Sequence, residues 1–330
     1  MSKQSGDDLT IIGGGLELSA HLSVEACKAI RAARRVYYHG ASCHDTVIRW
    51  LAILARDSML IDIDKEHYKL GQYRPDMYKA MAMIVAKEAR DGGGVVLIEQ
   101  GSSVVTDLVT PYALLLADQF DLKVRVIPGI SSLEQMFVLF GLDPSSGLQV
   151  ILAQELVVRQ IRLNPQLDTI IMQPGYYDTF WWAGWPKSRK NRFGELSRQL
   201  LESYPNDQKM VLARLPMHPQ DQTHEFWFRL DDLGLLHPII TPLHTLFIPA
   251  AGETEKNREF QQRMNSWKLS VGFLETDPDG SPVQNKPVTS IEDLQQIESR
   301  LPRELLERAK CLQKEWQIER VARRTARVAL

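Results

Sequence analysis

The residues best placed for chemistry are Tyr68, Arg74 and Tyr78, in the stretch Tyr68-Lys69-Leu70-Gly71-Gln72-Tyr73-Arg74-Pro75-Asp76-Met77-Tyr78. Apolar residues then recur at helical spacing (Met81, Ile84, Val85, Ala89), so Pro75 falls where proline is tolerated, in the first turn of a helix. Arg74 opens that helix, and Tyr78 follows about one turn later on roughly the same side. Tyr68 and Tyr73 lie in the loop that leads up to it. A cation, a phenol and a helix N-terminus with unpaired N–H groups together suit a weakly acidic group that must lose a proton. The competing reading makes the tyrosines half-buried packing residues and Arg74 a solvated cap.

The elements that must position these residues follow from the apolar runs. Leu9-Thr10-Ile11-Ile12 reads as a first strand entering the glycine turn Gly13-Gly14-Gly15, where backbone can approach a ligand closely. It is not the dinucleotide fingerprint, because position 18 is Leu. Ser23 caps a helix from Val24 to Ala33, and Arg35 to His39 forms the second strand. A helix over Asp45 to Ala55 and a run over Met59 to Ile63 precede the tyrosine stretch.

Val95-Val96-Leu97-Ile98 is continuously apolar, the mark of a strand buried on both faces of a parallel sheet. It ends in the small-residue loop Glu99-Gln100-Gly101-Ser102-Ser103-Val104-Val105, at the end of a strand where open α/β sheets bind ligands. A helix (Pro111 to Asp118), a strand (Lys123 to Ile127) and Pro128-Gly129-Ile130-Ser131-Ser132 follow, with Ser131 or Ser132 capping a helix through Phe140. Strands alternating with helices predict a doubly wound α/β domain over residues 1–143.

Gly141-Leu142-Asp143-Pro144 marks the boundary to a second domain, 144–251. There the strand-like runs (Val150 to Ala153, Thr169 to Gln173, Met210 to Leu215, Phe226 to Leu230, Thr245 to Ile248) come with one clear helix, Phe193 to Tyr204. That pattern predicts a mixed, more antiparallel sheet. The aromatic run Tyr176 to Trp185 beside Lys187, Arg189, Lys190 and Arg192 could stack on nucleic acid; the preferred reading is a loop that packs on a partner subunit or on the tail. Residues 252–330 turn polar and form a helical extension, with helices over Glu255 to Trp267 and, broken near Pro302, Ser290 to Ala329.

Composition narrows the classes. The 330 residues are 44% hydrophobic and 24% charged, as in soluble globular proteins. The net charge of −2 gives no general attraction to nucleic acid or membrane. Cys27, Cys43 and Cys311 make no CxxC pair, so neither a disulfide framework nor a zinc site is supported, and a reducing, cytoplasmic setting is expected. The polar stretch Met1 to Asp8 has no signal-like apolar region, and no apolar run approaches membrane-spanning length.

In order and spacing, Ile11-Ile12-Gly13-Gly14-Gly15, Leu22-Ser23-Val24-Glu25-Ala26, the strand and loop Val95 to Val105, and Ile127-Pro128-Gly129-Ile130-Ser131-Ser132 resemble the tetrapyrrole (corrin/porphyrin) methylase family. The Tyr68/Arg74/Tyr78 set followed by Gly141-Leu142-Asp143-Pro144 is most similar to its borosin-type branch, which methylates backbone amides of peptides. The resemblance implies a two-domain methylase-like fold, a homodimer, and S-adenosylmethionine as cofactor. It implies cofactor contacts from Gly13, Gly14, Gly15, Gln100, Gly101, Ser102, Val104, Val105, Ser131 and Ser132. It departs from the family where Gly101-Ser102-Ser103 replaces Gly, Asp or His, and Pro, and where Lys65 replaces a second tyrosine.

The chemistry so implied needs no metal. Tyr78, its pKa lowered by Arg74, takes the amide proton, Tyr68 hydrogen-bonds the imidate oxygen, and Arg74 stabilises the charge. The terminal Arg323-Arg324-Thr325-Ala326-Arg327-Val328-Ala329-Leu330 does not look like a hydrophobic core peptide, so the substrate expected is a peptide supplied by a separate chain. The alternatives are a methyltransferase for a tetrapyrrole or another small molecule, and a cofactor-binding scaffold without catalysis.

Overall fold

The computed structural model describes residues 6–40, 45–56, 58–182, 193–252, 257–266 and 302–328. Five apolar runs form a wholly parallel sheet of β1 (Leu9–Gly13), β2 (Arg35–His39), β3 (Met59–Asp62), β4 (Val95–Glu99) and β5 (Val124–Ile127) in the order β3-β2-β4-β1-β5. β1 and β4 are fully buried along their lengths, as strands covered by helices on both faces must be. Helices Val24–Ala32 and Asp45–Ala55 contribute to the core on one side of the sheet, and Arg74–Gly92 and Val109–Gln119 to the core on the other.

The end of this sheet is set by one row of paired residues. Gly13 on β1 and His39 on β2 both stand opposite Glu99 on β4. The crossover from β1 leads to β2 and that from β4 to β5, on opposite sides of the β1–β4 pair. A crevice at the carboxyl ends of the strands is the consequence.

The second sheet, β6 (Leu148–Leu152), β7 (Asp168–Met172), β8 (Lys209–Arg214), β9 (His224–Arg229) and β10 (His244–Ile248), has the order β6-β7-β10-β8-β9. Only β6 and β7 pair in parallel; the other pairs are antiparallel, so the expected mixed character is present. The expected long helix here is shorter, Gly194–Leu201, and Ala153–Val158 is a helix that the apolar run into Ala153 had hidden. Beyond Gly252 a second compact unit begins, with helices Arg258–Ser266 and Arg303–Val328; the expected helix before Pro302 lies outside the described residues.

The glycines of the first turn serve backbone packing first. Gly14 and Gly15 donate to the carbonyls of Glu99 (2.7 Å) and Gly101 (2.9 Å), and Gly101 donates back to Gly15 at 2.9 Å. A Cβ on Gly129 would stand 2.2 Å from the Gly13 carbonyl oxygen, against backbone that cannot swing away. Gly129→Ala should therefore destabilise the protein by about 1–3 kcal/mol, as overpacking does. A thermal melt checks this, with the midpoint expected to fall by about 2–4 °C per kcal/mol.

Candidate active site

The helix Arg74–Gly92 begins as expected, with Pro75 in its first turn and Met81, Val85 and Ala89 buried toward the sheet. Tyr68 follows the short helix Asp64–His67. Tyr68, Arg74 and Tyr78 all line one cavity of about 210 Å³. The cavity lies between the ends of the two sheets, since Met172, His244 and Thr245 of β7 and β10 form its other wall.

The loop 176–182 closes over this helix start. Backbone bonds run from Arg74 N to Phe180 O, from Trp182 N to Gln72 O and from Gly71 N to Trp182 O, each at 2.8 Å. Trp182 meets Tyr68 edge-on at 4.6 Å, and Trp181 lies 5.4 Å from Tyr73. The aromatic run expected to cover a partner or the tail thus packs, over its described part, on the candidate site. Tyr73 belongs to that packing, and the basic residues Lys187 to Arg192 lie outside the described residues.

Arg74 is buried, its NH2 group donating to the Thr179 carbonyl at 2.5 Å, with the Tyr176 carbonyl at 3.5 Å. The guanidinium carbon lies 4.4 Å from the Tyr176 ring centre. Its Nε is a buried donor with no hydrogen-bond partner among the described residues. Arg74 is therefore fixed by the loop carbonyls and not by Tyr78, whose hydroxyl instead faces that of Tyr68 at 3.5 Å. Burial, then the neighbouring Tyr78, Asp64 and Glu99, push the Tyr68 phenol well above its usual value, so Tyr68 stays a protonated donor at neutral pH.

Four further side chains went unrecognised in the sequence. His39 stacks on Tyr68, 5.8 Å between centres, and its Nδ1 donates to Asp64 at 2.5 Å. Asp64 is held in turn by the Gly40 N–H at 2.8 Å. Glu99 Oε2 lies 3.9 Å from His39 Nε2, and Asp107 caps the helix Val109–Gln119 by accepting from Val109 N and Thr110 N. Burial works against protonated His39, yet Asp64 and Glu99 outweigh it and raise the imidazole well above its usual value. Glu99 is also raised well above the carboxylate range, first by burial and then by Asp107, with His39 opposing. The only signal for these residues in the sequence is that His39 and Glu99 are polar residues ending apolar strands.

Of the residues expected to contact a cofactor, Gln100, Val105 and Ser132 line the cavity. Gly13, Gly14, Gly15 and Gly101 form the glycine crossing behind it. Gln100 is anchored by donating to the Leu16 carbonyl at 3.1 Å. Ser131 caps the helix Ser132–Phe140 in a capping box with Glu134. Ser102 is buried and donates its side chain to no cavity group, instead accepting from Val104 N at 3.4 Å, while Val104 itself is exposed.

His244, on the opposite wall, accepts from Thr241 N at 3.0 Å. Burial, then the charges of His224 and Arg214, hold it down to about 4. Its ordinary value is about 6.5, so between these limits the unfolded chain binds a proton that the folded chain refuses. Stability should fall as pH drops through about 6.5 and level off near about 4, a loss of about 3 kcal/mol at most. Denaturant midpoints compared at these pH values for the protein and for His244→Gln should show the slope reduced in the variant.

A parallel sheet whose strand ends face a mixed second sheet across a ligand-sized crevice is a two-lobed α/β architecture. Structural comparison agrees at the level of fold. The uroporphyrin-III-C-methyltransferase from Thermus thermophilus superposes with a TM-score of 0.52 at 18% identity, over 74% of this chain and 94% of that one. The methyltransferase CobJ gives 0.51 at 13%, over 76% and 96%. The family model for Tetrapyrrole (Corrin/Porphyrin) Methylases matches residues 8–220, and the chain belongs to that family.

Among curated relatives, the methyltransferase and gymnopeptides precursor of Gymnopus fusipes is 27% identical over 210 residues, 63% of this chain and 48% of that protein. The methyltransferase and omphalotin A precursor of Omphalotus olearius is 23% identical over 261 residues, 78% and 61%. The chain spans about half the length of the first of these relatives. Among the described residues no helix is long and apolar enough to cross a membrane.

Proposed function

We propose that the chain is an S-adenosylmethionine-dependent methyltransferase that N-methylates backbone amides of a peptide supplied as a separate chain. The observation that carries the reading is the convergence of Tyr68, Arg74 and Tyr78 on one cavity between the two sheets, in a chain whose curated relatives are methyltransferases joined to ribosomal peptide precursors. Within the described helix Arg303–Val328 the N–H groups are already committed to hydrogen bonds, whereas a methylated amide must be free. A homodimer working in the cytoplasm completes the proposal, and light scattering at micromolar concentration tests the dimer.

The residues present fit the cofactor. The wall of Leu16, Gln100, Val105 and Ser132 combines apolar surface with polar groups, as adenosine sites do. When bound, S-adenosylmethionine supplies a sulfonium methyl group for in-line displacement. Everything else falls to the chain. An amide nitrogen is a poor nucleophile until its proton leaves and charge moves to the carbonyl oxygen. Tyr78 acts as its phenolate, its own proton having left to solvent before the amide is seated, and accepts the amide proton to return to the phenol, while the Tyr68 hydroxyl and the Arg74 Nε donate to the oxygen as its charge grows. Trp182 over Tyr68 keeps water from the donors.

The test pairs two measurements on the full chain. Calorimetry with S-adenosylhomocysteine should show saturable binding, and mass spectrometry should show mass gains of one methyl group at a time on an added peptide. Turnover of a tetrapyrrole with none on peptides would replace the substrate class. Absence of binding to either cofactor form at millimolar concentration would end the reading.

A further inference from the structure

Below the tyrosines the cavity wall holds a set of side chains that the methyl transfer just described does not use. His39 ends β2 and Glu99 ends β4, and the two are paired in register, so both reach the cavity from the same level of the sheet. Asp107 reaches it from the turn before the helix Val109–Gln119, fixed there by its capping bonds to Val109 and Thr110. One nitrogen or oxygen from each of these residues lies within 4.8 Å of the others.

Two observations set the group apart from an ordinary cluster of acids. The first is the order imposed on His39. Its Nδ1 donates to Asp64, and Asp64 is itself pinned by Gly40 N–H. This fixes the ring with Nε2 toward Glu99 at 3.9 Å, so that an ion displacing the Nε2 proton meets a lone pair already aimed at the cavity, the arrangement by which a carboxylate orients an imidazole for a metal. The second is Glu99 itself. It is 2% exposed, it faces the cavity, and its Oε1 has no hydrogen-bond partner among the described residues. A buried carboxylate oxygen left bare is costly unless a cation or donor meets it.

We propose that His39, Glu99 and Asp107 bind a first-row divalent cation of the Zn²⁺ or Mn²⁺ kind, with Asp64 as the outer partner of His39. The donor set of one imidazole and two carboxylates, without thiolate, suits these ions. Mg²⁺ and Ca²⁺ favour all-oxygen shells and fit it less well. Metal–ligand distances of about 2.0–2.2 Å place neighbouring donors about 3.0–3.4 Å apart, so the side chains draw in by about an ångström as the ion enters. The remaining coordination positions open on the cavity, where water completes the shell. The competing arrangement for the same charges is a proton shared between His39 and the carboxylates.

Titration of the chelator-treated full chain separates the two. Co²⁺, followed by its visible absorption bands, and Mn²⁺, followed by electron paramagnetic resonance, should each bind saturably in a ratio of one ion per chain. Asp107→Asn keeps a helix-capping oxygen but loses the charge, and should abolish saturable binding at micromolar ion. Asp64→Asn leaves the ligands in place and should weaken binding by about 10–100-fold, the usual worth of an outer partner. Circular dichroism on both variants confirms that they fold. If the protein binds neither ion below millimolar concentration, or Asp107→Asn binds as tightly as the parent, the metal site is overturned and the cluster is a proton-sharing one. These readouts use no methyl transfer, so they stand or fall apart from the proposed activity.

Discussion

Tyr78→Phe should lower methyl transfer by about 10²–10⁴-fold, the usual worth of a positioned general base, while S-adenosylhomocysteine binds as before. The substitution removes one oxygen from a ring that stays packed near His39 and Tyr68, so the cavity keeps its shape. Tyr68→Phe should act differently. Its phenol is pushed up by burial and by the acids around it, so it is a donor and not a base. Losing one donor to a developing oxyanion costs about 10²–10³-fold. The two variants should also part with pH: raising the pH should not rescue Tyr78→Phe, because no group replaces the lost acceptor. Single-turnover assays read by mass spectrometry decide this. A Tyr78→Phe enzyme that turns over at the parental rate would move the base elsewhere in the cavity.

Arg74→Lys should cost about 10²–10³-fold in turnover, the price of an oxyanion donor, although the charge is kept. The reason is geometric. One terminal nitrogen of the planar fork donates to the Thr179 carbonyl, with the Tyr176 carbonyl at 3.5 Å, and Nε is a second donor, without a partner among the described residues, that the proposed mechanism assigns to the oxyanion. An ammonium group reaches one of these places but not both. Arg74→Ala should add a loss of stability of about 1 kcal/mol, because the partly buried Thr179 carbonyl then loses its donor. Kinetics with melting curves for both variants separate the contributions. Arg74→Lys with unchanged turnover would make Arg74 a purely structural clamp.

Much of this was legible in the chain. Val95 to Ile98 announced a strand buried on both faces, Pro75 fixed where the active helix starts, and Ser131 capped the helix it precedes. Those signals are local, each set by a few neighbouring residues. His39, Asp64, Glu99 and Asp107 were not legible, because each is a single polar residue in its own segment. Only the parallel register of β2 on β4, and the turn that carries Asp107, bring them together. The partner of Arg74 was missed for the same reason: Thr179 is 105 residues away, and sequence spacing suggested Tyr78 instead. The aromatic run was expected to pack on a partner subunit or on the tail; its described part makes backbone and ring contacts with residues 68–74, which lie more than 100 residues away in sequence.

The short ribbon between residues 71–74 and 180–182 joins the first turn of the active helix to a segment that follows the second sheet's strand β7. Its effect is mechanical. Arg74 is tied to Thr179 by its side chain and to Phe180 by its N–H, so on the proposed mechanism the grip on the reacting oxygen and the position of the aromatic cover would shift together. If Arg74 acts as proposed, a substrate that pushes on Trp182 would also displace its guanidinium, and selectivity for what enters the cavity would be transmitted as rate as well as affinity. Substitutions in the cover, far from the methyl group in sequence and chemically idle, would then change how fast the enzyme turns over and not merely what it holds.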